Sequence, residues 1–335
     1  MRRLLRLIAR LGAALILVVA GLAAAGWWWV GRPLPLPVSP YVFDVKSGAT
    51  LRSVARELAA AGVLPGELPL VLLARMRGVD RAIKAGNYEV AAGVTLAQLV
   101  DRLTQGDGTQ KALTVVEGAT FADLARALAA EPGVVKTVLG LPQAELMQRI
   151  GAKGTSAEGW FFPETYFFAA GSTDAAILAR AYRLMRARLD AAWSARAADL
   201  PLRDAYEALI LASIVEKETG RAADRPLIAS VFINRLRLGM RLQTDPTVIY
   251  GMGERFDGNL RRRDLEADTP HNTYTRDGLP PTPIALPGQA ALDAVTRPPK
   301  TTYLYFVARG DGSSEFSSNL ADHNRAVAKY QRGAR

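Results

Sequence analysis

The chain predicts an α+β protein in three parts: an N-terminal transmembrane helix, a small mixed module and a larger mixed α+β domain. Three observations carry this. Residues 11–31, LGAALILVVAGLAAAGWWWVG, are uncharged and long enough to span a bilayer as a helix. Beyond them, short strand-like runs alternate with amphipathic helical stretches. The 335 residues, 49% hydrophobic and 22% charged, suffice for two or three packed cores and exclude a disordered chain.

Arg2, Arg3, Arg6 and Arg10 precede the apolar run and place that end in the cytoplasm, with Trp27, Trp28 and Trp29 as an interfacial belt on the far side. A cleaved signal peptide is the competing reading, since Ala23-Ala24-Ala25 resembles a cleavage site. The length of the run and its tryptophans favour a retained anchor over residues 1–32. Both readings export residues 33–335. Of the net charge of +10, five positive charges sit in residues 1–32 without an acid, which leaves a mildly basic body. Without a long Lys/Arg run or an aromatic-basic signature, nucleic acid is not an expected partner. The lack of cysteine excludes disulfides, thiol nucleophiles and cysteine-ligated metals. With only His271 and His323, a histidine-rich metal site or a Ser-His triad is hard to build. No cofactor is expected, and acid–base chemistry falls to carboxylates.

Pro33, Pro35, Pro37 and Pro40 make residues 33–40 a stiff spacer. Residues 41–110 then read strand, helix, helix, strand, helix, with strand-like runs at Tyr41–Val45 and Tyr88–Val90. Gly48-Ala-Thr50-Leu51, Gly93-Val-Thr95-Leu96 and Gly118-Ala-Thr120-Phe121 form a weak repeat in which each threonine is a helix N-cap after a glycine turn.

Residues 111–335 form the larger domain, with a strand at Ala112–Val116 and helices at Ala122–Ala130 and Leu141–Ile150. Glu158-Gly-Trp-Phe-Phe-Pro-Glu164-Thr-Tyr166 clusters aromatics and carboxylates, the combination with which proteins hold sugar rings. Its plain alternative is a buried aromatic corner in which Glu158 or Glu164 caps a turn. Asp174–Leu200 reads as a long scaffold helix.

The most informative stretch is Leu209 to Tyr250. In a helix over 206–219, Leu211, Ile214, Val215 and Glu218 recur at i, i+3, i+4 and i+7, so Glu218 continues the apolar face. Gly220 as the C′ residue puts Glu218 in the last turn. Burial and the negative helix end both disfavour a carboxylate there, so Glu218 is expected to be protonated near neutral pH and able to donate. Glu216 lies about 200° around the helix and cannot share that face. A second helix, Arg225–Leu238, has Pro226 in its first turn and ends at Gly239. It turns Ile228, Phe232 and Leu236 to a core and leaves Asn234 and Arg235 as polar positions with room to act. In Leu242-Gln243-Thr244-Asp245-Pro246-Thr247, Asp245 is either an N-cap or a substrate contact. Residues 268–288 carry too many prolines for regular structure and form a long ordered loop. Tyr303–Val307 and Glu315–Phe316 read as a terminal hairpin, and Asn319–Tyr330 as a final helix.

Two resemblances follow. The strand–helix–helix–strand order with a Gly-x-Thr-Leu opening resembles a LysM-type glycan-binding module; a small packing domain without a ligand is the alternative. More extensively, seven motifs in order resemble the YceG-like family. They are the aromatic stretch 158–166, Ala212-Ser-Ile-Val-Glu216-Lys-Glu218, Val231-Phe-Ile-Asn234-Arg-Leu, Leu242-Gln243-Thr-Asp245-Pro-Thr-Val-Ile-Tyr250, Asn272-Thr-Tyr274, Gly278-Leu-Pro-Pro and Tyr303-Leu-Tyr-Phe-Val-Ala. That resemblance implies an endolytic murein transglycosylase of the bacterial inner membrane, its catalytic domain periplasmic and its glutamate at Glu218. It implies peptidoglycan strands as substrate and penicillin-binding proteins as partners. Glu164, Tyr166, Asn234, Gln243, Asp245, Asn272 and Tyr274 become candidates to bind sugars, and Glu216 to tune Glu218. Two positions depart from the family pattern: His271, where tyrosine is frequent, and Ser314, where histidine is common; His323 follows it. A lysozyme-type hydrolase, with Glu158, Glu164 or Asp245 as second carboxylate, and a non-catalytic wall-binding scaffold are the alternatives.

Overall fold

The computed structural model describes Gly21 and residues 30–45, 48–84, 86–105, 111–152, 154, 156–168 and 171–332. The expected membrane anchor, including Trp27 to Trp29, lies almost wholly outside the described residues. Among those described, no helix is long and apolar enough to cross a membrane. The chain divides into two compact units: Met1–Ala112 with Phe167–Ala170, and Leu113–Tyr166 with Gly171–Arg335.

In the first unit, β1 (Tyr41–Val45), α1 (Leu51–Ala60), α2 (Leu68–Met76), β2 (Gly86–Val90) and α3 (Leu96–Gln105) follow the expected order. The two strands pair antiparallel, Tyr41 opposite Val90 and Val45 opposite Gly86. Leu58, Leu70, Leu99 and Leu103 are fully buried and close the core, each burial contributing about 1.5–3 kcal/mol. Thr50 opens α1 with a reciprocal cap to Ser53, and Thr95 exchanges hydrogen bonds with Gln98 at the start of α3. Gly48 and Gly93 take left-handed φ of 79° and 92°, so the repeat is the chemistry of entering a helix from a turn. Within residues 33–40, the expected stiff spacer, two leucines reach this core while the rest of the run is exposed. Leu34 is buried, its N–H donates to the Val94 carbonyl at 2.8 Å, and Leu36 packs on the same core. Leucines alternating with prolines had an apolar face to bury, and burial outweighs the stiffness of the proline run.

In chain order, β3 (Lys111–Thr114), α4 (Phe121–Ala130), α5 (Gln143–Arg149) and β4 (Thr165–Phe168) come next, β3 pairing with β4. The second unit continues with α6 (Asp174–Ser194), α7 (Ala205–Glu218), α8 (Arg225–Arg237), α9 (Asp245–Met252), α10 (Arg262–Glu266) and α11 (Gln289–Thr296). It ends with the antiparallel hairpin β5 (Tyr305–Ala308) and β6 (Ser314–Ser317), then α12 (Leu320–Val327). The helix expected to run to Leu200 stops at Ser194, because the Ala197 N–H leaves the helical ladder for the Thr296 carbonyl at 2.9 Å.

At the centre of this unit is α7, packed by α6, α8, α9 and α11. Asp204 caps it by accepting the Glu207 N–H at 2.9 Å. Every residue from Ala208 to Val215 is buried, so the apolar stripe read from the sequence belongs to a helix covered on all sides. Even Ser213 is spent inside: its hydroxyl donates to the Ile210 carbonyl at 2.7 Å and accepts the Ile284 N–H at 2.9 Å, pinning the proline-rich loop to the helix. A helix so enclosed holds its last turn rigidly.

Candidate functional site

That last turn ends at Glu218. Thr219 leaves in an extended conformation (φ −152°), so Gly220 makes no left-handed cap. Glu218 is partly exposed on the wall of a cavity of about 600 Å³. The Leu242–Asp245 segment supplies a second wall. Thr244 stands at the N-cap of α9 but makes no capping bond; its hydroxyl donates to Glu218 Oε1 instead. The segment is held from behind by buried Thr273, whose hydroxyl accepts the Thr244 N–H at 3.1 Å and whose carbonyl accepts the Gln243 N–H at 3.1 Å. Gln243 is in the left-handed region at φ 50°, the one such non-glycine among the described residues, and borders the cavity.

Burial pushes the Glu218 carboxyl up to about 7; the Thr244 hydroxyl opposes that rise and the neighbouring Asp245 charge adds to it. The group is therefore close to half-protonated at neutral pH, the condition for giving up a proton and taking one back. The Tyr274 hydroxyl donates to Asp245 Oδ1 at 2.5 Å, and burial raises that phenol. Glu218, Gln243, Asp245 and Tyr274 thus share one cavity. Asp245 is the first residue of α9, with Thr244 in the N-cap position.

The hairpin and α12 complete the lining with Tyr305, Phe306, Ser314 and His323. The Tyr305 ring has the Arg235 guanidinium carbon 5.1 Å from its centroid and is stacked with His323, also at 5.1 Å. Burial first, then the Arg235 charge, lowers the His323 pKa. The Ser314 N–H donates to Asp224 at 2.8 Å.

The remaining sequence candidates lie elsewhere. Glu216 is turned away and buried, accepting from Arg225 at 3.1 Å and from the Gly288 N–H at 2.9 Å. Asn272, 1% exposed, donates to the Leu265 and Ala267 carbonyls and accepts the Tyr274 N–H at 2.8 Å; it shapes the loop that presents Tyr274. The Asn234 amide donates to the Thr301 and Tyr303 carbonyls, each at 3.0 Å. Tyr166 is buried with its hydroxyl on the Phe162 carbonyl, and exposed Glu164 accepts the Thr165 N–H. Glu164, Tyr166, Asn234 and Asn272 do not line the cavity. His271 is edge-on to Tyr250 and shares a 2.9 Å hydrogen bond with Thr282.

Glu158 follows the corner reading. It is buried, accepts the Phe121 N–H at 2.9 Å at the start of α4 and the Tyr250 hydroxyl at 3.2 Å, and burial raises its pKa to about 7. Gly159 beside it has φ 83°, and a Cβ there would lie 2.5 Å from Pro283, so both the turn and the packing require glycine.

Thr244, Tyr305 and Phe306 were not singled out from the sequence. A threonine directly before Asp-Pro marks a helix entry, but only the fold brings that hydroxyl to the end of α7.

Residues 43–329 match the sequence profile of the YceG-like family. A relative from Bacillus subtilis, named endolytic murein transglycosylase, is 32% identical over 304 residues, spanning 86% of this chain and 84% of its own length. A relative of the same name from Streptococcus pneumoniae is 28% identical over 321 residues; the match spans 85% of this chain but 57% of that relative's length. A crystal structure of a YceG-like protein from Listeria monocytogenes aligns with a TM-score of 0.53 at 28% identity, over 86% of this chain and 98% of that one.

Proposed function

The chain belongs to the YceG-like family, and from that premise we propose that it is a lytic transglycosylase of peptidoglycan with Glu218 as its catalytic acid and base. The observation that supports this most is a carboxyl held near pKa 7 on the wall of a cavity, oriented by the Thr244 hydroxyl. Protonated Glu218 donates to the glycosidic oxygen after N-acetylmuramic acid as the bond to N-acetylglucosamine breaks through an oxocarbenium-like state. The carboxylate that remains takes the proton of the muramyl C6 hydroxyl, which attacks C1 and leaves a 1,6-anhydro end without water. One carboxyl suffices, used twice. Gln243, Asp245 and Tyr274 are the proposed sugar contacts, with Asn272 supporting Tyr274 from behind.

In the same proposal the N-terminal run anchors the protein in the inner membrane with its body periplasmic. There it cuts nascent strands beside penicillin-binding proteins and limits their length, and the module at 41–110 adds glycan contact in the manner of LysM. One observation favours a second reading. Asp245 brings another carboxyl into the Glu218 cavity, which a lysozyme-type hydrolase could use to activate water. Mass spectrometry of uncrosslinked strands treated with wild type and Glu218→Gln decides between them. The proposal expects new ends one water lighter than a reducing end, absent with Glu218→Gln; reducing ends would establish the hydrolase.

A further inference from the structure

The cavity is also lined by a cation, Arg235, that forms no salt bridge among the described residues. Arg235 is buried, and its position is set by the backbone: Nε donates to the Leu304 carbonyl at 2.7 Å, and Nη1 to the Leu242 and Arg241 carbonyls at 2.9 and 3.2 Å. Its neighbours on the chain find acids, Arg225 with Glu216, Arg237 with Asp199 and Arg241 with Asp277. Arg235 has no such pair among the described residues. Among the described residues Nη2 makes no protein hydrogen bond, it is not one of the fully enclosed atoms without a partner, and Arg235 lines the cavity. Holding an unpaired guanidinium out of water is costly, and with Nε and Nη1 spent on carbonyls, Nη2 is the donor left to make a charge-assisted hydrogen bond to an anion.

Resting on the transglycosylase reading, we infer that Arg235 is a carboxylate-binding position that recognises the muramyl unit of the strand. The two alternating sugars differ in that only the muramyl ring carries an acid, either as a free lactyl carboxylate where the peptide has been removed or through the carboxylates of its stem peptide. Binding that acid at Arg235 sets the register of the strand, so that the muramyl C1 rather than the glucosaminyl C1 meets Glu218. Without it, neutral sugar hydroxyls distinguish the two registers weakly.

The test uses full-length wild type, Arg235→Gln and Arg235→Lys on four strands: peptide-free with the lactyl acid, the same as its methyl ester, and peptide-bearing with free or amidated carboxylates. Wild type is expected to cleave the acid form with kcat/KM about tenfold or more above its neutral counterpart. Arg235→Gln removes that ratio whatever its overall activity, and Arg235→Lys keeps part of it. Because the ratio compares substrates on one protein, general damage to the site does not mimic the result. A preference on peptide-free strands assigns the lactyl group; one confined to peptide-bearing strands assigns the stem. Calorimetric binding of the same strands to Glu218→Gln protein reads recognition without cleavage. Equal affinity for acid and neutral forms, or a preference retained in Arg235→Gln, overturns the inference. A wild type that binds with the acid preference but cleaves nothing overturns the transglycosylase reading instead.

Discussion

Two glutamates in the second unit have similarly raised pKa values and opposite surroundings. Burial raises both Glu218 and Glu158 to about 7. Glu158 is closed in: one oxygen takes the Phe121 N–H, the other the Tyr250 hydroxyl, and it does not line the Glu218 cavity. Among the described residues Glu218 keeps a single side-chain partner, Thr244, and it faces a space large enough for a sugar. A shifted pKa shows that a carboxyl has lost water; it does not say for what purpose. Access to a cavity separates the group that can pass a proton to a ligand from the one that joins α4 to α9.

The largest expected effect tests that separation. Glu218→Gln should lower strand cleavage by about a thousandfold or more, the range of a lost general acid–base, while Glu158→Gln stays within about threefold. Equal losses in a stably folded pair would erase the distinction. Stability against pH should reverse the ranking of interest. A carboxyl with a raised folded pKa keeps its proton between about 4.5 and 7, where the unfolded chain has released it, so stability falls as pH rises through that window. Glu158→Gln, which keeps an acceptor for Phe121, should remove up to about 3 kcal/mol of that fall, read by denaturant titrations at pH 5 and pH 8.

Smaller and opposite shifts are expected at the partners of Glu218. Thr244→Val removes a bond that lowers its pKa, and should move the alkaline limb of kcat/KM upward by about half to one pH unit, with about a tenfold loss of kcat. Asp245→Asn removes a like charge and should move the same limb downward. Shifts of the same sign would show that the limb does not report Glu218. The smallest effects should come from sequence candidates outside the cavity. Glu164→Gln should leave KM within about twofold, whereas Gln243→Ala raises it about tenfold.

How much of this was legible beforehand differs by residue. Helix spacing placed Glu218 on an apolar face, and the three Gly-x-Thr entries were capping signals that need only neighbours in sequence. Asn234 and Asn272 show the limit. A polar side chain in a motif reads the same whether it meets a ligand or a backbone carbonyl, and both asparagines are occupied by carbonyls, those of Asn234 more than sixty residues away in sequence. Residues 33–40 read as a spacer because proline stiffness is local, while the core that buries Leu34 is assembled from distant strands and helices. Thr244 was hidden for the same reason: its partner lies 26 residues earlier, across α8.

The proposed reaction depends on the proton that Glu218 holds at neutral pH. Carbon-13 titration of the glutamate carboxyls in a Glu158→Gln background, which removes the other raised carboxyl, reads it directly alongside the pH dependence of strand cleavage. A Glu218 carboxyl titrating at about 7, with cleavage falling on the same curve, is the predicted result. A Glu218 carboxyl titrating near 4.5 while cleavage persists well above neutral pH would contradict it.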